Sequence, residues 1–256
     1  MDERRTLRDD KGREVAEFVV GNWQGHQLAD DLLPLPGVPL ADVVSAVLRG
    51  LPGWAVCAQE REGHALAAAG AAPKRHAHCY TWDLAARPPD PAWAAPELPP
   101  GVTLVSAAAH EPADLTAAWI GAYPPGHPDN PGGETFDSAR AQLATLYDGT
   151  LIGALMPASC VLQDGTRPAA VCLANDRPGA PPLLGPWVTE VFRDPDRVYA
   201  GLGATALRAT LARAAAADVP ALGLTVTEGN PARATYEKLG FSHTESTMTL
   251  LVPETP

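Results

Sequence analysis

Apolar positions along the chain alternate between a spacing of two and a spacing of three to four, and the pattern is clearest from residue 102 onward. Val102 to Ala107 (VTLVSA) reads as a strand. A helix starts near Pro112, with Asp114 placed favourably for its dipole and with Leu115, Trp119 and Ala122 on one face. It must end before Pro124. The loop that follows, YPPGHPDNPGG, holds too much Pro and Gly for regular structure. A second helix covers Thr135 to Tyr147, with Phe136, Ala139, Leu143 and Leu146 aligned. Strands at Leu151 to Leu162 and Pro168 to Ala174 flank Asp164-Gly165, a hairpin signal. Trp187 to Phe192 is a further strand, and Leu202 to Ala217 a helix lined by Leu207, Leu211 and Ala214. Ala221 to Thr227 (ALGLTVT) has the continuous apolar character of a strand buried on both faces. Asn230-Pro231 opens a last helix that Gly240 closes, and Ser242 to Val252 reads as the final strand. The order is β-α-α-β-β-β-α-β-α-β, which predicts an α/β domain with a mixed sheet flanked by helices.

The N-terminal third is shorter in pattern. Residues 40–84 run helix (ADVVSAVLRG), strand (GWAVCAQ), short helix (HALAAAG) and extended segment (KRHAHCYTWDL). The end of the chain repeats that order, and an offset of about 170 residues sets Gly70 on Gly240 and Val56 on Val226. Two readings follow: a truncated duplicate of the C-terminal half-domain, or an unrelated small α/β cap. Residues 86–101 (ARPPDPAWAAPELPPG) carry six prolines and read as an extended linker. The expected division is therefore 1–85, a linker over 86–100, and a domain over 101–256.

Composition narrows the function. Apolar residues make up 46% of the 256, enough for a buried core. The net charge of −11 argues against nucleic acid as a partner. No run of about 18 apolar residues exists, so no membrane span is expected, and the charged start MDERRTLRDDKGRE has no apolar signal core. These features predict a cytoplasmic protein. Cys57, Cys79, Cys160 and Cys172 show no paired spacing and are expected to be reduced thiols. His76 and His78 share one face of an extended segment, without further ligands at zinc spacing, so no metal is expected.

The chemistry concentrates between Gly185 and Phe241. After Pro195 comes Val198-Tyr199-Ala200-Gly201-Leu202-Gly203, a Gly-x-Gly turn that opens a helix. Backbone N–H groups at a helix N-terminus bind pyrophosphate well, and glycines let the phosphates approach. Further on stands Asn230-Pro-Ala-Arg-Ala-Thr-Tyr236-Glu-Lys-Leu-Gly240-Phe241. Both blocks in this order, with a helix and a strand between them, resemble the GNAT N-acetyltransferase family. The turn departs from the family's Gln/Arg-x-x-Gly-x-Gly/Ala pattern: Val198 takes the polar position and Tyr199 a common glycine, while Arg197 stands one residue away.

The resemblance implies an acyl-CoA-dependent N-acyltransferase. Acetyl-CoA would be the donor and a small-molecule amine the acceptor, with direct attack in a ternary complex. It implies that backbone groups of Val191, Phe192 and Arg193 hold the pantetheine arm. The amides from Arg197 through Val198, Ala200, Gly201, Leu202 and Gly203 to Ala204 would hold the pyrophosphate, and Asn230 would bond the arm or cap its helix. Tyr236 is the expected acid for the departing thiolate, or else a core aromatic. Glu190 is the first candidate base and Glu228 the second, although strand alternation can turn Glu190 away from the cleft. His127 and Asp129 in the Pro-rich loop are further ionisable groups near the acceptor side. In the family, acceptor pockets draw on loops and neighbouring subunits, so a homodimer is compatible with the resemblance. The alternative is an acyl-CoA-binding or scaffold protein without catalysis.

Overall fold

The computed structural model describes residues 4–130, 132, 134–179 and 184–254. In chain order the strands and helices begin with β1 (Arg4–Arg8), β2 (Glu14–Trp23), β3 (His26–Pro34), α1 (Leu40–Gly50), β4 (Ala55–Gln59), α2 (Glu60–Ala68) and β5 (Ala72–Asp83). Then come β6 (Val102–Ser106), α3 (Pro112–Ala122), α4 (Phe136–Tyr147), β7 (Ala154–Leu155), β8 (Cys160–Asp164) and β9 (Arg167–Asp176). The chain closes with β10 (Trp187–Arg193), α5 (Leu202–Ala216), β11 (Ala221–Thr227), α6 (Ala232–Leu239) and β12 (Ser242–Leu251). The architecture is α/β with a mixed sheet flanked by helices, as the periodicity predicts.

Two compact units form, one from Met1–His78 with Glu245–Pro256, the other from Cys79–Thr244. This division departs from the sequence expectation of 1–85 and 101–256 at both ends. The C-terminal half of β12 pairs antiparallel with β4, Thr247 opposite Gln59 through Leu251 opposite Ala55. It thereby carries Met248, Leu250 and Val252 into the first unit's core. Strand pairing, not sequence distance, decides which unit a strand belongs to. The Pro-rich segment is no linker either, because it lies wholly inside the second unit. Asp90 accepts the Ala92 N–H at 2.9 Å and opens a short 3-10 turn over Pro91–Ala94. Trp93 from that turn packs on the second unit's core, with the Arg208 guanidinium 5.4 Å from its ring. Proline stops helix propagation but leaves a neighbouring Trp free to bury its ring.

The first unit has a longer repeat than residues 40–84 suggest. β1, β2 and β3 form an antiparallel meander, and β3 then pairs parallel with β4 across α1. The charged start is β1, of which only Leu7 is buried. The second unit runs through the same sequence of steps: β8, β9, β10, then α5, then β11 parallel to β10, then α6 and β12.

In the second unit β9 sends alternate residues to opposite faces. Ala170, Cys172 and Ala174 join a core under α5 with Leu207 and Leu211. Val171 and Leu173 join a separate core under α3 and α4 with Leu115, Leu143 and Phe192. Thr135, expected as the first residue of the second helix, is instead its cap and accepts the Ser138 N–H at 3.1 Å. Two signals read from sequence act as expected. Gly240 closes α6 at φ +110°. Asn230 caps α6 by accepting the Ala232 N–H at 2.8 Å. The first expected strand of the hairpin is instead split into β7 and β8.

β10 and β11 touch closely where Trp187 stands opposite Gly223. A Cβ on Gly223 would fall 2.2 Å from the Trp187 ring, too close for either to stay in place. Gly223→Ala is therefore expected to cost about 1–3 kcal/mol through overpacking, read as a lower urea midpoint at unchanged slope.

Candidate active site

Parallel strands β10 and β11 pair only at Trp187 with Gly223 and Val188 with Leu224. Both continue, β10 to Arg193 and β11 to Thr227, but their ladder does not. On its other edge β10 stays paired with β9 as far as Arg193 opposite Ala170. The backbone of Glu190, Val191, Phe192 and Arg193 is thus open on the β11 side, a slot that can take an extended, hydrogen-bonding ligand. The first unit differs at the matching place. There β3 and β4 pair at Leu28 with Ala55 and Ala29 with Val56, and resume at Leu32 with Ala58. Its slot is zipped shut.

A bulge settles which way Glu190 points. Val188 stands opposite Ala174 and Glu190 opposite Leu173, so Thr189 is the extra residue. Thr189 Oγ1 donates to Asn175 Oδ1 at 2.7 Å, and Asn175 is fully buried, held by the carbonyls of Leu146 and Gly153. The extra residue switches the alternation. Val188 faces the α5 core, while Phe192, two residues beyond Glu190, faces the α3–α4 core. Without the bulge all three would share one face.

Glu190 accepts the Tyr123 hydroxyl proton at 2.9 Å through Oε2. It keeps some solvent exposure but is closely surrounded by protein atoms. Burial pushes its carboxyl up to about 7 and the nearby Asp129 adds to this, while the Tyr123 hydroxyl and Trp119 hold it down. The buried Trp119 indole N–H has no partner within hydrogen-bond geometry, yet stands near enough to act on that carboxyl.

Tyr236 is buried at 8% exposure, and its hydroxyl has no hydrogen-bond partner among the described residues. Burial drives its hydroxyl well above the ordinary tyrosine range, with Cys172, Asp129 and Glu190 contributing. It therefore keeps its proton at any working pH, as an acid must. Asp129 accepts hydrogen bonds from Thr227 Oγ1 and from Asn230 Nδ2, the latter at 2.6 Å. These bonds tie the Pro-rich loop to the end of β11 and the start of α6. Within the loop, His127 Nδ1 accepts the Asp129 N–H at 3.1 Å. Positions 131 and 133 of the loop lie outside the described residues.

At the turn, Gly201 adopts φ +87° and precedes α5, a conformation that favours glycine. A Cβ on Gly203 would meet nothing within 4 Å. Among the described residues, the amides of Gly201, Leu202, Gly203 and Ala204 have no partner, as expected for the first turn of a helix. The expected cradle over Arg197 to Ala204 is narrower than the sequence implies. The turn itself uses the Val198 amide, which Asp196 Oδ1 accepts at 3.2 Å. It also uses the amides of Tyr199 and Ala200, which donate to the carbonyls of Asp196 and Arg197. A 3-10 turn over Arg197–Tyr199 needs these bonds, so Val198 and Ala200 do not offer their N–H groups.

Tyr199, at a glycine position of the motif, is a buried support residue. Its hydroxyl donates to Asp164 at 3.0 Å, and the Arg167 guanidinium lies 5.3 Å from its ring. Val198 is 71% exposed. Arg197 is exposed and has no side-chain partner among the described residues, so its charge is available beside the turn. Arg193 instead braces the turn by donating to the carbonyls of Asp194 and Asp196. Glu228 pairs with Arg233 at 3.0 Å on the surface. None of Cys57, Cys79, Cys160 and Cys172 forms a disulfide among the described residues.

Sequence reasoning brought Glu190, Tyr236 and Asn230 to one region but missed Tyr123, Trp119 and Thr227. Trp119 and Tyr123 stand four residues apart at the end of α3, a spacing that puts two side chains on one helix face. That was the available signal.

No family model and no curated protein matches the chain. Solved structures do. A GCN5-related N-acetyltransferase from Sphaerobacter thermophilus superposes with a TM-score of 0.64 at 17% identity, covering 100% of this chain and 82% of that one. A tandem GNAT protein from the clavulanic acid biosynthesis pathway gives 0.61 at 17% identity, covering 96% and 81%. A GCN5-related N-acetyltransferase from Kribbella flavida gives 0.53 at 16%, covering 98% and 90%. The chain therefore has the fold of the GNAT N-acetyltransferases, and its first unit follows the strand and helix order of the second.

Proposed function

We propose that the second unit is an acyl-CoA-dependent N-acyltransferase that moves acetyl from acetyl-CoA to a small-molecule amine. One observation carries the reading. A closely packed carboxyl poised near neutrality and a buried tyrosine lie beside an unzipped pair of parallel strands, in the unit whose helix α5 opens with four amides that have no partner among the described residues.

The thioester would lie along the open edge of β10 with its pyrophosphate on Gly201 to Ala204. Glu190 takes the proton from the attacking amine. The nitrogen bonds to the acyl carbon, the carbon–sulfur bond breaks, and the Tyr236 hydroxyl protonates the leaving thiolate. No covalent enzyme intermediate is needed, and Cys160 and Cys172 are buried, with their thiols pushed up by burial and so held protonated. The Asp129 bonds to Thr227 and Asn230 would keep the loop closed over the acceptor side.

The alternative, an acyl-CoA-binding protein without catalysis, draws on Val198 at the family's polar position. A panel of primary amines with acetyl-CoA, read by thiol release, separates the two. Amine-dependent thiol release with acetylated product is the expected result. Acetyl-CoA binding with no turnover on any amine would favour the alternative.

A further inference from the structure

Resting on the reading of Glu190 as the base, we propose that Tyr123 is its positioning residue, holding the carboxylate in the orientation and charge state that the reaction needs. Tyr123 is the residue at which α3 ends, and its side chain has one polar task. Its hydroxyl donates to Glu190 Oε2 at 2.9 Å, across 67 residues of sequence.

Two ring contacts and one bond to its backbone fix Tyr123. Trp119 packs against it with ring centroids 5.2 Å apart, and His127 meets it edge-on at 5.1 Å. Asn130 Nδ2 donates to the Tyr123 carbonyl at 2.6 Å. A hydroxyl so placed cannot swing away from the carboxyl without moving the loop. Such rigidity is more than an incidental bond requires.

The groups facing Glu190 come from each surrounding element. Tyr123 and the Trp119 indole N–H come from the end of α3, Asp129 from the loop, and Tyr236 from α6, while apolar Leu173 stands opposite on β9. Asp129 and burial favour the protonated acid, whereas Tyr123 and Trp119 favour the anion. Among these, Tyr123 is the one that holds the carboxylate by a direct hydrogen bond.

The test is a titration of the whole chain carrying 13C-labelled glutamate, with Glu190→Gln identifying the Glu190 carboxyl resonance. In Tyr123→Phe the midpoint is expected to rise by about one pH unit, since a hydrogen bond to a charged group is lost. Trp119→Phe is expected to move it the same way by less. A tyrosine with only a packing role would lower the melting temperature and leave the midpoint in place. If Glu190→Gln abolishes turnover while Tyr123→Phe titrates like the wild type, the positioning role is overturned and the base stands. If Glu190→Gln turns over like the wild type, the base reading falls, and the proposal with it.

Discussion

Glu190→Gln is expected to lower kcat/KM by about 10²–10⁴-fold, the usual contribution of a positioned base. The substitution keeps the shape and a hydrogen-bonding oxygen for Tyr123, so the fold should survive. The wild type should lose activity as pH falls below about 7, where Glu190 takes up its proton. The variant should show no such acid limb. Stability should move in the opposite sense. The folded carboxyl lies above its ordinary value of 4.5, so the folded state binds more protons than the unfolded one between 4.5 and about 7. Glu190's contribution to stability is thus fully present below the unfolded value and is lost as pH rises through the folded one. Glu190→Gln should therefore melt above the wild type at pH 8, and the gap should close toward pH 4. Thermal melts across that range check the sign, and a variant that melts lower at pH 8 would mean the carboxyl is stabilised in its charged form.

Gly203→Asp is expected to remove acetyl-CoA binding while sparing the unliganded fold. Nothing lies within 4 Å of a Cβ at this position, so the side chain has space. A carboxylate in the first turn of α5 is itself favourable to the helix dipole by about 0.3–1 kcal/mol. It would occupy the N–H groups that a pyrophosphate needs and repel the phosphates. For the wild type, acetyl-CoA at 100 times its Kd should stabilise by about 2.7 kcal/mol. The variant should lose at least about ten-fold in affinity and with it at least about half of that stabilisation. A variant that binds like the wild type would place the pyrophosphate elsewhere.

Much of the second unit is legible in the chain because its local signals agree with its global fold. Ala139, Leu143 and Leu146 of α4, the glycine at 240 and the run ALGLTVT act as they read, whereas Phe136, aligned with that α4 face in sequence, is exposed. The block from Asn230 to Phe241 carries the fold, and the Gly-x-Gly turn is where sequence says least. Whether the Val198 amide is offered or consumed depends on the Asp196 side chain and a 3-10 bend, neither of which has a periodic signature. The direction of Glu190 depends on one extra residue, Thr189, pinned by Asn175 from another strand. Tyr123 meets Glu190 only after the chain has folded. The unit boundary escaped for a similar reason. β12 starts in the second unit and ends paired with β4 in the first, a choice made by long-range strand pairing.

In the proposed reaction the thioester lies in the slot of β10 and β11, with its pyrophosphate on the first turn of α5. Backbone amide exchange, measured by NMR with and without acetyl-CoA, tests it most directly. The amides of Gly201, Leu202, Gly203 and Ala204 have no partner among the described residues and should exchange fast in the free protein. Acetyl-CoA should slow them and the amides along the open edge of β10, while Tyr199 and Ala200, already bonded, change little. Binding that leaves Gly201 to Ala204 unprotected would contradict the account.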